Sequence, residues 1–399
     1  MNENTSFLLL NQMAGPLFRE LAEDLADIMP GGCKLVTGHP DTLNMRYLKG
    51  KLIIHRAPMY NRSSKISRLY SWFKYSVVAL LKMLLADKNT IMLIVSNPPF
   101  LGPLALLVHW IRKVPYIVLV YDLHPDTLIC FGVLNEHSFV ARAWRFVNKI
   151  VWERSDGVYT LGSVMAAKLA SQFSPEKTRL GHVGIVPPWA DTDIIKPIDK
   201  ANNHLATELC QNNVLTVLYS GNMGISHDID SILGAAKILS KRNDIRFLFI
   251  GEGAKWQSAK NFIDTHHLCN ALVLPFQPEE NLPFTMALGD VSLVALDKGA
   301  EGLMVPSKMY YYMAAGSAVI GICQGKSDLS ETIKRSQCGM VVEPGKPKEL
   351  AKLIVSLADS KNKLDFLKKN SRNASLEYYS RKVCMDDFLV SLRSSGIIN

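Results

Sequence analysis

Apolar residues in this chain fall into short continuous runs, separated by stretches where they recur every three or four positions. The runs at 7–11, 34–38, 52–57, 91–96, 116–122 and 157–162 have strand length and little polar alternation, as strands buried on both faces do. Helical patterns lie between several of them, including 139–153 and 164–173. This is the rhythm of a parallel sheet with crossover helices. It restarts with strands predicted at 214–220, 245–251, 271–275, 291–296, 318–323 and 339–342, and helices at 229–241 and 255–268. The tail from 348 to 394 is helical in pattern and polar, and 187–203, opening on Pro187-Pro188-Trp189, reads as an interdomain linker. The expected fold is α/β, with two doubly wound parallel-sheet domains over 1–190 and 191–375. A helical tail, 376–399, is expected to pack back on the first domain. Two such sheets in tandem form a cleft between their carboxyl edges, where such folds bind ligands.

Two helical-looking segments need closer reading. Residues 66–86 carry Leu69, Tyr70, Phe73, Val77, Leu80, Leu81 and Leu84 at helical spacing, with Arg68, Lys74 and Lys82 outside that stripe. The segment reads as an amphipathic helix. Residues 90–111 contain no Asp, Glu, Lys or Arg, a length that could span a bilayer. Asn97-Pro98-Pro99, Gly102 and Pro103 interrupt it, so a strand at 91–96, a turn and a helix at 104–112 fit better.

The net charge of +9 has an address: residues 46–88 hold ten Lys or Arg and one acid, Asp87, which leaves the rest of the chain neutral. Aromatic residues interleave with these cations. A basic, aromatic-rich helix suits an anionic membrane surface, with Arg68, Trp72, Lys74 and Lys82 as candidate membrane or acceptor contacts. The alternative is an internal helix with a solvated basic face. No nucleic-acid-binding motif accompanies the charge, and no nucleic-acid partner is expected. Seven cysteines, an odd number without CxxC or Cys/His ligand spacing, argue for a reducing compartment and against a structural zinc site. The apolar run 7–10 is too short for a signal peptide.

The candidate chemistry gathers at predicted strand ends. Glu301-Gly302-Leu303 and Pro306-Ser307-Lys308 lie between two buried runs, ahead of a short helix expected to start at Ser307 as N-cap and to end at Gly316. Lys308 at a helix start, with a carboxylate just before it, is a sensible cradle for a phosphorylated sugar. The bland alternative is an ordinary strand–loop–helix unit with a solvated Glu and Lys. Gly221-Asn222-Met223-Gly224 opens the second half, where glycines permit close backbone approach. It is neither GxGxxG nor a P-loop, which disfavours dinucleotide and ATP sites of those types. His124, between Asp122 and Asp126, is a candidate proton-handling or hydroxyl-binding group, or a loop histidine with a structural role.

These residues, in this order, resemble the bacterial GT-B glycosyltransferases of family 4, in the branch that builds capsule, O-antigen and exopolysaccharide repeats. The likeness rests on Asn97-Pro98-Pro99-Phe100, Tyr121 to Asp126, Trp189-Ala190-Asp191, Tyr219 to Gly224, Asp290 to Val294, Glu301 to Leu303, and Pro306-Ser307-Lys308 with Ala314-Ala315-Gly316. The resemblance implies retaining transfer from a nucleotide-diphosphate sugar, a UDP-sugar by expectation, without a metal or other cofactor. It implies that Gly15 approaches the donor phosphates and that His124 sits by the reacting sugar. Gly221, Asn222 and Met223 would hold the diphosphate with Ser307 and Lys308, and Glu301 would bind sugar hydroxyls. His124, Lys308 and Glu301 form the expected catalytic set. A lipid-linked saccharide acceptor is expected, and the basic stretch 46–88, in the half that should hold that acceptor, leads to the expectation of peripheral attachment to the inner face of the cytoplasmic membrane with no spanning helix. Two departures stand out. Tyr311 occupies the place where many members have a second glutamate, and Ile225-Ser226-His227 replaces the Arg that follows the glycine loop. A catalytically silent sugar-nucleotide-binding protein and a nucleotide-sugar epimerase are the alternatives.

Overall fold

The run Thr90–Val95 is buried at every position and forms the middle of a seven-stranded parallel sheet. A computed structural model describes residues 5–44, 50–61 and 63–398; Arg46, Lys49, Arg62 and the Lys65 side chain of the basic stretch lie outside that description. The chain divides into two compact units, Met1–Pro187 with Met385–Asn399, and Pro188–Cys384.

In the first unit the elements are β1 (Ser6–Leu10), α1 (Pro16–Ile28), β2 (Cys33–Thr37), α2 (Pro40–Leu43), β3 (Leu52–Arg56), α3 (Lys65–Leu84), β4 (Thr90–Val95), α4 (Leu101–Arg112), β5 (Tyr116–Val120), α5 (Asp126–Cys130), α6 (Phe139–Glu153), β6 (Gly157–Thr160), α7 (Ser163–Ala170) and β7 (Val183–Ile185). The strand order is β3-β2-β1-β4-β5-β6-β7. The chain therefore reverses its march across the sheet between β1 and β4. Right-handed crossovers place α1 on one face and α3, α4 and α6 on the other. The uncharged run 90–111 is divided between β4 and α4, and no helix among the described residues is long and apolar enough to cross a membrane.

The second unit contains α8 (His204–Glu208), β8 (Leu215–Ser220), α9 (Ile229–Ile238), β9 (Ile245–Ile250), α10 (Trp256–Thr265), β10 (Ala271–Leu274), α11 (Leu282–Met286), β11 (Val291–Ala295), α12 (Lys308–Ala314), β12 (Ala318–Ile322), α13 (Asp328–Ser336), β13 (Gly339–Val342), α14 (Pro347–Ala358) and α15 (Lys361–Tyr378). Its six parallel strands run β10-β9-β8-β11-β12-β13, with the reversal between β8 and β11. The last helix, α16 (Arg381–Ser394), begins in this unit and ends in the first. There Phe388 stands edge-on to Tyr159 at 5.0 Å, and Tyr159 Oη lies 3.1 Å from Ser391 Oγ.

The boundary between the units falls at Pro187 and Pro188, where the expected linker 187–203 begins, and the rest of that segment is packed. Trp189, Ala190 and Ile195 are buried, Arg372 donates to the carbonyls of Thr192 and Ile195, and Lys200 donates to the Val214 carbonyl and pairs with Asp290. The residues after the boundary thus belong to the second unit. Leu69, Tyr70, Phe73, Val77 and Leu81 of the α3 stripe are exposed. The buried side is built from Ser71, Tyr75, Ser76, Ala79 and Met83, and Tyr75 Oη donates to the Val36 carbonyl at 2.9 Å. The helix packs inward through Tyr75 and Met83 with small and polar residues beside them, and five residues of its apolar stripe face outward.

Candidate active site

The carboxyl end of β8 turns sharply at Gly221, whose φ of +125° few side chains tolerate. Its N–H donates to the Ile250 carbonyl at 2.8 Å. Gly251 packs so closely that a Cβ there would lie 2.1 Å from the Gly221 carbonyl oxygen. The two glycines thus let the ends of β8 and β9 meet backbone to backbone. A Cβ on Gly221 would sit 3.4 Å from Lys308 Nζ, so the lysine lies directly over this turn.

Lys308 opens α12, and Tyr312, one turn on, anchors that helix to β8. Tyr312 Oη donates to the Ser220 carbonyl at 2.9 Å and accepts from the Ser220 N–H at 2.7 Å. Lys308 Nζ donates to Tyr219 Oη at 2.7 Å and lies 3.9 Å from the centre of the Tyr219 ring. Tyr219 Oη in turn donates to the Asn222 carbonyl at 3.0 Å and lies 2.9 Å from His227 Nδ1. Burial brings the Lys308 amine down to about 7. Burial, with Lys308 and Lys255 nearby, brings His227 to about 4, so its ring is neutral at neutral pH. An amine at this titration point, over a glycine turn at the reversal between β8 and β11, has the charge and the position to meet an anion. An arriving diphosphate would restore full charge to it.

The remaining predicted residues of this unit are placed as follows. Asn222 is exposed at the turn. Met223 is buried in the core, and its N–H is occupied by the Glu252 carbonyl at 2.6 Å, so it supports the turn rather than presenting a donor. Ser307 occupies the N-cap position of α12 without a side-chain capping bond, because its own backbone is already helical. Gly316, at φ +72°, ends the helix as expected. Glu301 lies in the turn before α12 and accepts from the Gln324 N–H at 3.2 Å, which ties it to the end of β12.

In the first unit, Gly15 stands in extended backbone ahead of α1, with φ −73°, and a Cβ there would make ordinary contact with His39 at 3.7 Å. The conformation does not demand glycine at that position. His124 follows β5. Its carbonyl accepts from Asn148 Nδ2 at 2.7 Å, and its ring lies 6.0 Å from that of Trp144. Its Nδ1 is buried without a hydrogen bond among the described residues. Beside it lies a cavity of about 30 Å³, lined in part by Ser96, Asp122, His124, Trp144 and Asn148, with room for a water or two. Burial lowers the His124 pKa against the opposing pull of Asp122 and Asp126, and burial raises that of Asp122. Asp126 itself is committed to Arg145, whose Nε donates at 3.1 Å, and to Gln172 at 3.0 Å. Among the candidate membrane contacts, Lys74 is exposed, with its amine 4.3 Å from the centre of the Tyr70 ring. Trp72 is stacked on Tyr60 at 6.1 Å and stands edge-on to Phe100 at 6.5 Å, and Lys82 reaches His55 Nδ1 at 3.3 Å. Arg68 is half-buried.

Sequence reading missed Tyr219, His227 and Tyr312. Each is an unremarkable aromatic by pattern. Only the chain reversal that brings β8 beside α12 shows them as the frame around Lys308.

Residues 204–374 match the glycosyl transferases group 1 family. Two relatives share the wider chain. A probable glycosyltransferase WbjE of Pseudomonas aeruginosa is 24% identical over 340 residues, 84% of this chain and 82% of that one. A putative colanic acid biosynthesis glycosyl transferase WcaI of Escherichia coli strain K12 is 22% identical over 291 residues, 71% of this chain and 70% of that one. Among solved structures, HepE of Anabaena in complex with UDP superposes with a TM-score of 0.71 at 14% identity, covering 98% of this chain and 100% of that one. The fold is GT-B. The second unit carries a glycosyltransferase domain, and its Gly221–Lys308 turn lies within the matched residues.

Proposed function

We propose that this protein is a retaining glycosyltransferase that moves a sugar from a UDP-sugar to a lipid-linked saccharide in cell-surface polysaccharide biosynthesis. The observation that carries this reading is Lys308, held by Tyr219 over the Gly221 turn with its amine lowered to about 7. In this mechanism the bond between the anomeric carbon and the β-phosphate oxygen breaks first. Charge then gathers on the departing diphosphate, where Lys308 and the Gly221 turn meet it. The acceptor hydroxyl attacks from the face being vacated, and its proton passes to the leaving phosphate oxygen. No protein nucleophile and no metal enters this scheme. His124 hydrogen-bonds the sugar as a neutral imidazole, and Glu301 accepts from sugar hydroxyls. The name of WcaI, which ties that relative to colanic acid, and the UDP bound to HepE support the reading.

The basic stretch in the first unit brings the enzyme to the inner face of the cytoplasmic membrane, where a lipid-linked acceptor resides. The test is UDP release from UDP-glucose, UDP-galactose and UDP-N-acetylglucosamine, with and without a polyprenyl-diphosphate-linked sugar primer, and the anomeric configuration of the product by NMR. Acceptor-dependent UDP release with retention supports the reading. UDP binding with no release under any pairing means a silent binding protein. A new free nucleotide sugar formed without acceptor means an epimerase.

A further inference from the structure

The exposed apolar stripe of α3 does not stand alone. α3 packs beside α4 and α4 beside α6, all on one face of the first sheet. Arg112 near the end of α4 donates to the carbonyl of Leu84 at the end of α3. Among the described residues, 13 of the 28 exposed large apolar side chains lie on these three helices. Phe73 and Leu81 on α3, Trp110 and Ile111 on α4, and Phe139 and Phe146 on α6 are between 52% and 79% exposed. So much adjoining apolar surface on a folded chain marks a docking face.

The charge around it chooses the occupant. The same three helices carry eight Lys or Arg against one acid, Glu153. A second copy of this face would meet its own cations, and like charges set against each other disfavour such pairing. An anionic bilayer offers both things the face lacks, acyl chains for the rings and headgroup phosphates for the cations. We propose that α3, α4 and α6 form one surface that seats in an anionic bilayer, their apolar side chains entering the acyl boundary. This rests on the membrane reading above and deepens it: basic attraction brings the chain to the lipid, and apolar insertion across three helices holds it there.

The two contributions separate by salt and by mutation. The probe is sedimentation with phosphatidylcholine vesicles containing phosphatidylglycerol, at low salt and at about 1 M salt, where charge screening falls to roughly 3 Å. Insertion predicts that part of the binding survives high salt. Phe73→Asp with Trp110→Asp should remove that residue of binding and weaken low-salt partitioning by roughly 100-fold, two large side chains no longer being buried. Phe139→Asp with Phe146→Asp on α6 should act alike. These positions are exposed, and unchanged far-UV circular dichroism and UDP affinity check that the variants are folded. Binding that vanishes in high salt and ignores both pairs of substitutions overturns insertion and leaves electrostatic attachment standing. Loss with the first pair and none with the second overturns the three-helix surface. No binding to anionic vesicles at low salt removes the membrane reading itself. Concentration-dependent self-association abolished by the same variants assigns the face to a second copy of the chain, and that also overturns the proposal.

Discussion

Lys308 and His124 are both basic side chains at the carboxyl edge of a parallel sheet, and they are held in opposite ways. Lys308 has its amine on Tyr219 Oη at 2.7 Å, with His227 and the Asn222 carbonyl behind that hydroxyl. His124 has a buried Nδ1 without a hydrogen bond among the described residues, beside a cavity. A buried polar atom in that condition costs about 1–3 kcal/mol. The first arrangement aims its donor in advance. The second leaves a ring nitrogen without a partner among the described residues, and burial lowers the pKa of that imidazole against the pull of Asp122 and Asp126. The function proposed above assigns Lys308 to the leaving diphosphate and His124 to the sugar.

The largest effect that could break this contrast is expected from Lys308→Ala. Loss of one preorganised charge at the leaving group should lower turnover by about 100- to 1000-fold. Melting temperature should hold, because Tyr312 rather than Lys308 anchors α12. Near-normal UDP release at saturating donor would contradict the role. His124→Ala should cut turnover by about tenfold, the worth of one good hydrogen bond in the transition state, while leaving UDP affinity unchanged. A matching loss of UDP affinity would erase the assignment of His124 to the sugar. Tyr219→Phe keeps the ring under the amine and removes the hydroxyl, so UDP binding should weaken only several-fold, by about 1 kcal/mol. An unchanged affinity by calorimetry would make Tyr219 packing alone. Glu301→Gln should act least on the nucleotide, blunting discrimination among UDP-sugars while bare UDP binds as before. Equal losses for UDP and for the intact donor would remove the carboxylate from the sugar.

Much of this was legible in the sequence, for a physical reason. Parallel strands buried on both faces read as unbroken apolar runs, so Thr90–Val95 and Val291–Ala295 announce themselves. Lys308 was legible because Pro306-Ser307 and Gly316 bracket a short helix after such a run. Its partners were not, since Tyr219 meets Lys308 across 89 residues of sequence and His227 joins them only through the Tyr219 hydroxyl. Which side of α3 meets the sheet was not legible, because amphipathicity names an apolar side without saying what covers it. How residues 187–203 pack was not legible, because proline marks irregular backbone equally well in a linker and in a packed segment, and only the bonds of Lys200 and Arg372 tell them apart.

The most direct test of the account is the protonation of Lys308 when UDP binds. In the free protein the amine titrates at about 7, and a diphosphate against it should raise that value. Below pH 7 the amine is already charged, so binding takes up no proton there. Above it the free amine is neutral, so each UDP bound should draw in up to one proton, and affinity should fall by up to about tenfold per pH unit until the raised value is passed. Calorimetry at about pH 8, in two buffers of different ionisation enthalpy, reads this uptake directly. The account predicts an uptake approaching one proton in the wild type and none in Lys308→Ala. Tight UDP binding with no proton uptake, and with the same affinity in Lys308→Ala, would contradict it.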